Sequence, residues 1–312
     1  MTEGQIFSHT QSVCPVCLKV IPAVEVIQQN NQVYLEKTCP EHGFFSTITW
    51  RGEPSLETWG IKNNPSHPDH PFTDLNQGCP YDCGLCPDHE QQPCCVLLEV
   101  TQRCNLQCPV CYASAGSSSQ KDPSLETIHF WYQKLMEAGG PFNIQLSGGE
   151  PSLRNDLPEI IKMGKQLGFN FFQLNTNGIR IAEQDGFLET LKEAGLNTVY
   201  LQFDGTEDTI YQRIRGKPLF DLKMKVVERC QKVEIGVVLV PTIIPGINDW
   251  NLGDIIRFAV AQIPVVRCVH IQPVCYSGRN IQKPENKDRL TIPEIFQKVE
   301  EQTNGLIKVQ HF

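Results

Sequence analysis

A chain of 312 residues that is 40% hydrophobic and 20% charged has enough apolar material for one large core, or for one domain with an appendage. Its 27 Lys and Arg are outnumbered by 35 Asp and Glu, a net charge of -8, so no basic field exists to hold nucleic acid or an anionic membrane. The outlying number is 14 cysteines, about 4.5% of the chain and well under the ~8–10% of a small disulfide scaffold. The opening MTEGQIFSHTQSVCPVC has neither a basic nor an apolar segment of the kind that directs export. The longest apolar stretch, Ile235 to Ile247, is broken by Pro241 and Pro245 and is too short to span a bilayer. A cytoplasmic protein with reduced thiols is therefore expected, its clustered cysteines holding metal.

Three regions follow in chain order. Over residues 1–78, Cys14-x2-Cys17 and Cys39-x2-His42 flank an alternating stretch from Ala23 to Leu35 centred on Asn30-Asn31, the pattern of a hairpin between metal ligands. Three cysteines and a histidine suit a tetrahedral zinc or a rubredoxin-like mononuclear iron. Residues 79–95 hold a second set, Cys79-x3-Cys83-x2-Cys86, with no strand before it; Cys94, Cys95, Cys275 and His89 are candidates for a fourth ligand. From 96 to 312 the pattern becomes regular, with strands expected at 96–101, 142–147, 171–177, 198–204, 235–242 and 266–272, separated by helical segments long enough for crossovers. Asp122 before Pro123, and Asp156 with Glu159, are expected to cap helices.

These strands have two unlike faces. Ile144, Leu146, Phe172, Leu174, Val199, Leu201, Phe203, Val269 and Ile271 form an apolar face suited to lie under helices. The other carries Glu99, Thr101, Asn143, Gln145, Ser147, Gln173, Asn175, Asn177, Tyr200, Gln202, Asp204, Thr242, Cys268, His270 and Gln272. Unpaired buried polar groups cost about 1–3 kcal/mol each, so a wet or ligand-filled interior is expected, open at the C-terminal strand ends.

The strongest motif is Cys104-x3-Cys108-x2-Cys111, in TQRCNLQCPVCYA directly after the first of these strands. Three thiolates there can hold three irons of a [4Fe-4S] cube and leave the fourth open; a zinc loop is the alternative that spacing alone allows. The second strand ends in Gly148-Gly149-Glu150-Pro151, where glycines admit a close ligand and a carboxylate can take an ammonium. The cysteine loop, GGEP and six β/α units in this order resemble the radical S-adenosylmethionine (SAM) superfamily. With CPVCLKVIPA, KTCPEHG and CPYDCGLCPDH they resemble the branch containing the archaeal tetraether lipid synthase and methanopterin C-methylating enzymes. Members of that branch continue with further cysteines beyond the segment matching EEQTNGLIKVQHF.

The resemblance implies a (β/α)6 partial barrel with an N-terminal cysteine-rich metal-binding extension. It implies that Cys104, Cys108 and Cys111 bind the cluster, that GGEP receives the SAM amino group through backbone and Glu150, and that Asn175, Gln202 and Asp204 meet its ribose or methionine part. Arg215 would pair with the SAM carboxylate, and Ile244 to Ile247 would lie against adenine. Val110 stands where the family often has an aromatic residue, and Tyr112 is expected to fill that space. Cys79, Cys83 and Cys86 repeat the spacing of the Cys104 loop without a preceding strand or a GGEP at the matching distance, which assigns them an auxiliary [4Fe-4S] cluster, with zinc as the alternative.

The implied activity is reductive cleavage of SAM to a 5'-deoxyadenosyl radical for carbon–carbon bond formation or C-methylation of a lipid or pterin-like molecule. A low-potential donor such as ferredoxin or flavodoxin would supply the electron. Peptide modification is the second enzymatic reading; a non-catalytic iron–sulfur electron carrier or inactive relative is the alternative of another class. The segment Leu219 to Lys232, with Lys223, Lys225 and Arg229, is a candidate contact for anionic lipid.

Overall fold

The computed structural model describes residues 4–59, 67–68, 70–76, 86–89, 93–116, 121–280 and 284–312. The N-terminal region is a four-stranded antiparallel sheet in chain order: β1 (Gln5–Val13), β2 (Val20–Gln28), β3 (Gln32–Cys39) and β4 (Gly43–Arg51). The expected hairpin is β2–β3. It turns at Asn30 and Asn31, whose φ of 60° and 55° is the left-handed conformation asparagine tolerates better than most residues. Where the sequence pattern shows one strand pair, the structure adds β1 and β4. Most of β1 is exposed on both faces, so it carries little of the alternation that marks a half-buried strand.

The remainder is six parallel strands ordered β5 (Cys95–Thr101), β6 (Asn143–Gly148), β7 (Phe172–Thr176), β8 (Thr198–Gln202), β9 (Gly236–Val240) and β11 (Val266–Val269). The connections carry α1 (Leu125–Glu137), α2 (Leu157–Gln166), α3 (Ile179–Glu183), α4 (Phe187–Ala194), α5 (Asp208–Arg215), α6 (Phe220–Lys232) and α7 (Leu252–Ala261). Two long strands of the sequence pattern are interrupted. β10 (Thr242–Ile243) and β12 (Gln272–Pro273) leave the main sheet and pair with each other past its C-terminal edge. The final helix, α8 (Ile292–Gln302), packs on both α7 and β4.

The apolar face is the core. Ile144, Leu146, Phe172, Leu174, Val199, Leu201 and Phe203 are wholly buried beneath the helices, each stabilising the fold by about 1.5–3 kcal/mol. Close packing of α2 requires Gly164, where a Cβ would stand 2.4 Å from the Phe172 ring.

Two expected caps are made differently. Helix α1 is capped by Ser124, whose hydroxyl accepts from Thr127 N at 3.2 Å, while Asp122 binds Thr101 Oγ1 (2.5 Å) and Arg103. Asp156 precedes α2 but gives its carboxylate to Arg154 instead of to the helix N–H groups. Of the three cations that suggested a lipid contact on α6, Lys223 is fully buried and Arg229 is held by Ile181 O, Gln184 O and Asp185, while Lys225 is exposed.

Candidate functional site

The loop leaving β5 is fixed from both sides. Cys111 exchanges two backbone hydrogen bonds with Arg279 (2.8 and 2.9 Å), and the Arg279 side chain donates to Cys108 O (2.7 Å) and Ala115 O (3.2 Å). Arg279 went unmarked in the sequence because it lies far along the chain, in a segment without motif character. On the other side Asn177 Nδ2 donates to Asn105 Oδ1 at 2.7 Å, joining the end of β7 to the cysteine loop.

Two glycines let the second strand close on this loop. A Cβ on Gly148 would lie 2.0 Å from Thr101 O, and one on Gly149 would lie 2.2 Å from Arg103 O; Gly148 also has φ +123°. Their proximity allows Gly149 N to donate to Thr101 O (2.7 Å) and Glu150 N to Arg103 O (2.8 Å). The Glu150 carboxylate is buried and accepts four hydrogen bonds. Ser152 N (3.1 Å), Ser152 Oγ (2.5 Å) and Thr176 Oγ1 (2.6 Å) reach Oε1, and Asn177 N (2.7 Å) reaches Oε2. It therefore ties the ends of β6 and β7 together.

Cys104, Cys108 and Cys111 open onto a cavity of about 360 Å³ at the C-terminal strand ends. Gly148, Gly149, Glu150, Asn175, Gln202 and Arg215 also line it, so the structure brings together most of the residues selected from sequence. Pro151 is buried in a 3-10 turn behind them. Asp204 is fully buried and does not face the cavity: it pairs with Arg215 through Oδ2–Nε at 2.6 Å and Oδ1–Nη2 at 2.7 Å. Two residues expected to meet SAM separately thus neutralise each other. The Gln202 side-chain amide lies against Arg215, where its oxygen, oriented toward the guanidinium, can accept from Nε and Nη1 at 3.2 Å. Val110 is buried against Ile210, Ile214, Ile244 and Ile247, whereas Tyr112 is exposed at the rim and does not fill an interior space.

Deeper on the polar face Gln145 Nε2 donates to Asn175 Oδ1 at 2.7 Å, and Asn175 Nδ2 to Ser147 Oγ at 3.3 Å. Burial raises the Cys104 thiol to about 11, with the charges of Glu150, Cys108 and Cys111 acting in the same direction. Ligation here is therefore coupled to proton release. Three thiolates on one loop at the cavity fit a [4Fe-4S] cube, which Cys104, Cys108 and Cys111 would hold through three of its irons.

At the N-terminal site the ligand atoms of Cys14, Cys17, Cys39 and His42 all lie within 4.8 Å of one another, the one such group among the described residues. His42 Nδ1 is 3.7 Å from Cys14 Sγ and 3.5 Å from Cys39 Sγ, and Cys17 Sγ is 3.9 Å from Cys39 Sγ. A tetrahedron with zinc–sulfur bonds of about 2.3 Å has edges near 3.8 Å, so these separations fit one ion. Burial alone would raise the Cys14 thiol, but N–H groups of Cys17 and Val16 bring it down to about 6. Cys79 and Cys83 lie outside the described residues; Cys86 is buried, Cys94 and Cys95 are exposed, and Cys275 lines the cavity.

Residues 98–259 match the Radical SAM superfamily. The chain belongs to that superfamily. Residues 6–51 match the HMPTM N-terminal zinc ribbon domain, which spans the four-stranded sheet and the Cys14, Cys17, Cys39 and His42 group. The chain is 43% identical over 306 residues to 7,8-dihydro-6-hydroxymethylpterin dimethyltransferase of Methanocaldococcus jannaschii, covering 97% of this chain and 60% of that protein. It is 33% identical over 208 residues to the Fe-coproporphyrin III synthase of Methanosarcina barkeri, covering 66% of this chain and 49% of that one. This chain thus spans less than two thirds of the length of either relative. SuiB of Streptococcus suis shares the fold with a TM-score of 0.54 at 15% identity, covering 68% of this chain and 46% of that one. So does methylornithine synthase, with a TM-score of 0.53 at 15% identity over 68% and 62%.

Proposed function

We propose that this chain is a radical SAM enzyme that C-methylates a pterin-like small molecule, with a [4Fe-4S] cluster on Cys104, Cys108 and Cys111 and SAM beside Gly148, Gly149 and Glu150. The observation that carries the cofactor assignment is the convergence of the cysteine loop and the glycine pair on one cavity. When bound, the cluster supplies the electron that cleaves SAM, releasing a radical that takes hydrogen from an unactivated carbon. The protein's share is orientation and exclusion of water. Arg279 and Asn177 hold the loop, the glycine pair leaves room beside it, and Val240, Pro273 and Val274 give the cavity an apolar wall. Gln145 and Asn175 place amide donors and acceptors on the polar wall, suited to the edge of a nitrogen heterocycle.

The pterin class is supported by the methanogen dimethyltransferase, whose likeness extends through the zinc ribbon and the barrel. Zinc is the ion proposed for Cys14, Cys17, Cys39 and His42. An auxiliary cluster would use Cys79, Cys83 and Cys86, and a ferredoxin or flavodoxin would supply electrons. In this reading residues 1–78 are the metal-binding extension, 79–95 the auxiliary loop and 96–312 the catalytic domain.

The test is anaerobic reconstitution with iron, sulfide, dithionite and SAM, followed by addition of 6-hydroxymethyl-7,8-dihydropterin and of a methyl source, supplied in parallel reactions as excess SAM and as a reduced one-carbon-carrying pterin. Formation of 5'-deoxyadenosine together with a pterin heavier by methyl groups is expected. Absence of 5'-deoxyadenosine from a fully loaded protein would overturn the cofactor assignment; its formation with unmodified pterin would overturn the substrate class alone.

A further inference from the structure

Lys223 projects from α6 into the interior and is 0% exposed. Its ammonium donates to Asn177 O at 2.6 Å and lies 5.7 Å from the centre of the Tyr211 ring, and among the described residues it forms no ion pair. A buried cation supported by one carbonyl and one ring is costly, and burial brings this lysine down to about 8. The groups around it are the charged Asp204, Arg215 and Glu150 and the Cys108 thiol. Asp204 and Arg215 are paired to each other, and Glu150 already accepts four hydrogen bonds. Those four donors are neutral and leave the Glu150 charge standing, so Lys223 faces that carboxylate as well as the Cys108 thiol. Cys108 belongs with Leu106, Tyr211 and Leu219 to one buried cluster against which Cys104 and Cys111 also pack, and Tyr211 is the ring that Lys223 faces.

We propose that Lys223 is the counter-charge of the three-cysteine centre, a positioning residue whose buried ammonium stabilises the centre's reduced, more negative form. This rests on the cluster assignment of the Cys104, Cys108 and Cys111 loop given above. Reduction adds one negative charge, on which the buried Lys223 ammonium acts more strongly than a surface cation would. Arg215 is already in a direct ion pair with Asp204, whereas Lys223 makes no such pair among the described residues.

The experiment is a redox titration of the reconstituted protein followed by electron paramagnetic resonance, after iron content has been measured. Lys223→Gln keeps a donor for Asn177 O without the charge, Lys223→Met removes both, and Lys223→Arg keeps the charge. Expected is at least a tenfold shift toward the oxidised form in the Gln and Met variants, a midpoint lower by about 59 mV for a one-electron couple, with Lys223→Arg within twofold of the parent. If Lys223→Met does not fold, Lys223→Gln carries the comparison. A fully loaded Lys223→Gln with the parent's midpoint would show that the lysine only holds the Asn177 carbonyl, and overturns the proposal. So would Lys223→Arg falling as far as Lys223→Gln. A parent protein that binds no cluster would overturn both this proposal and the cluster assignment.

Discussion

At the scale of single residues, Glu150 shows how a motif residue acquires its role from its surroundings. The sequence places a carboxylate beside two glycines at a strand end, and the structure adds four donors to it. Ser152 N approaches one oxygen and Asn177 N the other, both rigid backbone groups. In Glu150→Gln either orientation of the amide turns its NH2 against one of those N–H groups, leaving a buried donor unsatisfied. The expected loss is about 1–3 kcal/mol of stability, read as a lower denaturant midpoint at unchanged slope. A variant as stable as the parent would mean that this carboxylate does not join β6 to β7. The same residue-level logic separates Asp204 from its assigned contact with SAM. A sequence lists Asp204 and Arg215 as two charges on a polar face, but only packing reveals that each is the other's partner.

At the scale of elements, what was legible follows from local repetition. The six parallel strands stand within a residue or two of the alternation in the sequence for most of their length, because one face is buried beneath helices and tolerates no polar residue. The β2–β3 hairpin was legible for the same reason, its turn being set by Asn30 and Asn31. Elements defined by distant partners were not. β1 and β4 complete the ribbon only through their neighbours, and Lys223 looks like part of a solvated helix face until α6 is seated. The ribbon also has a sparse core, with Ile21, Ala23, Val26, Val33, Ile48 and Trp50 as its buried apolar residues besides Cys14 and Cys39. Zinc binding in comparable small modules is worth about 10–16 kcal/mol, as much as the entire stability of an ordinary domain. Cys17→Ala should therefore remove hydrogen-exchange protection from β2 and β3 and lower the melting temperature, while leaving the iron bound by Cys104, Cys108 and Cys111 unchanged. Full protection of β2 and β3 in that variant would show that the ribbon stands without its ion.

At the scale of the whole molecule, the two ends of the described chain are joined at the open edge of the ribbon. Strand β4 is an edge strand, and Asn286 pairs with it much as a further strand would: Oδ1 accepts from Ile48 N at 3.0 Å and Nδ2 donates to Ser46 O at 3.2 Å. Arg51 then reaches Asn286 O at 3.1 Å and Glu294 Oε1 at 2.7 Å, while the other oxygen of Glu294 closes the capping box with Thr291 at the start of α8. Trp50, Trp59, Phe296 and Phe312 form a chain of ring contacts beside these polar bonds. Because α8 also packs on α7, this helix couples the ribbon to the barrel. The side chains of Arg51 and Glu294 are 27% and 21% exposed, so water screens this pair less than a surface one. A double-mutant cycle of Arg51→Met and Glu294→Gln, read by chemical denaturation, should give a coupling energy of about 1–2 kcal/mol. The single variants should also separate ribbon unfolding from barrel unfolding, because each weakens the join without touching the core of either part. Coupling near zero, with one coincident unfolding transition in every variant, would show that the aromatic contacts alone hold the ribbon to α8.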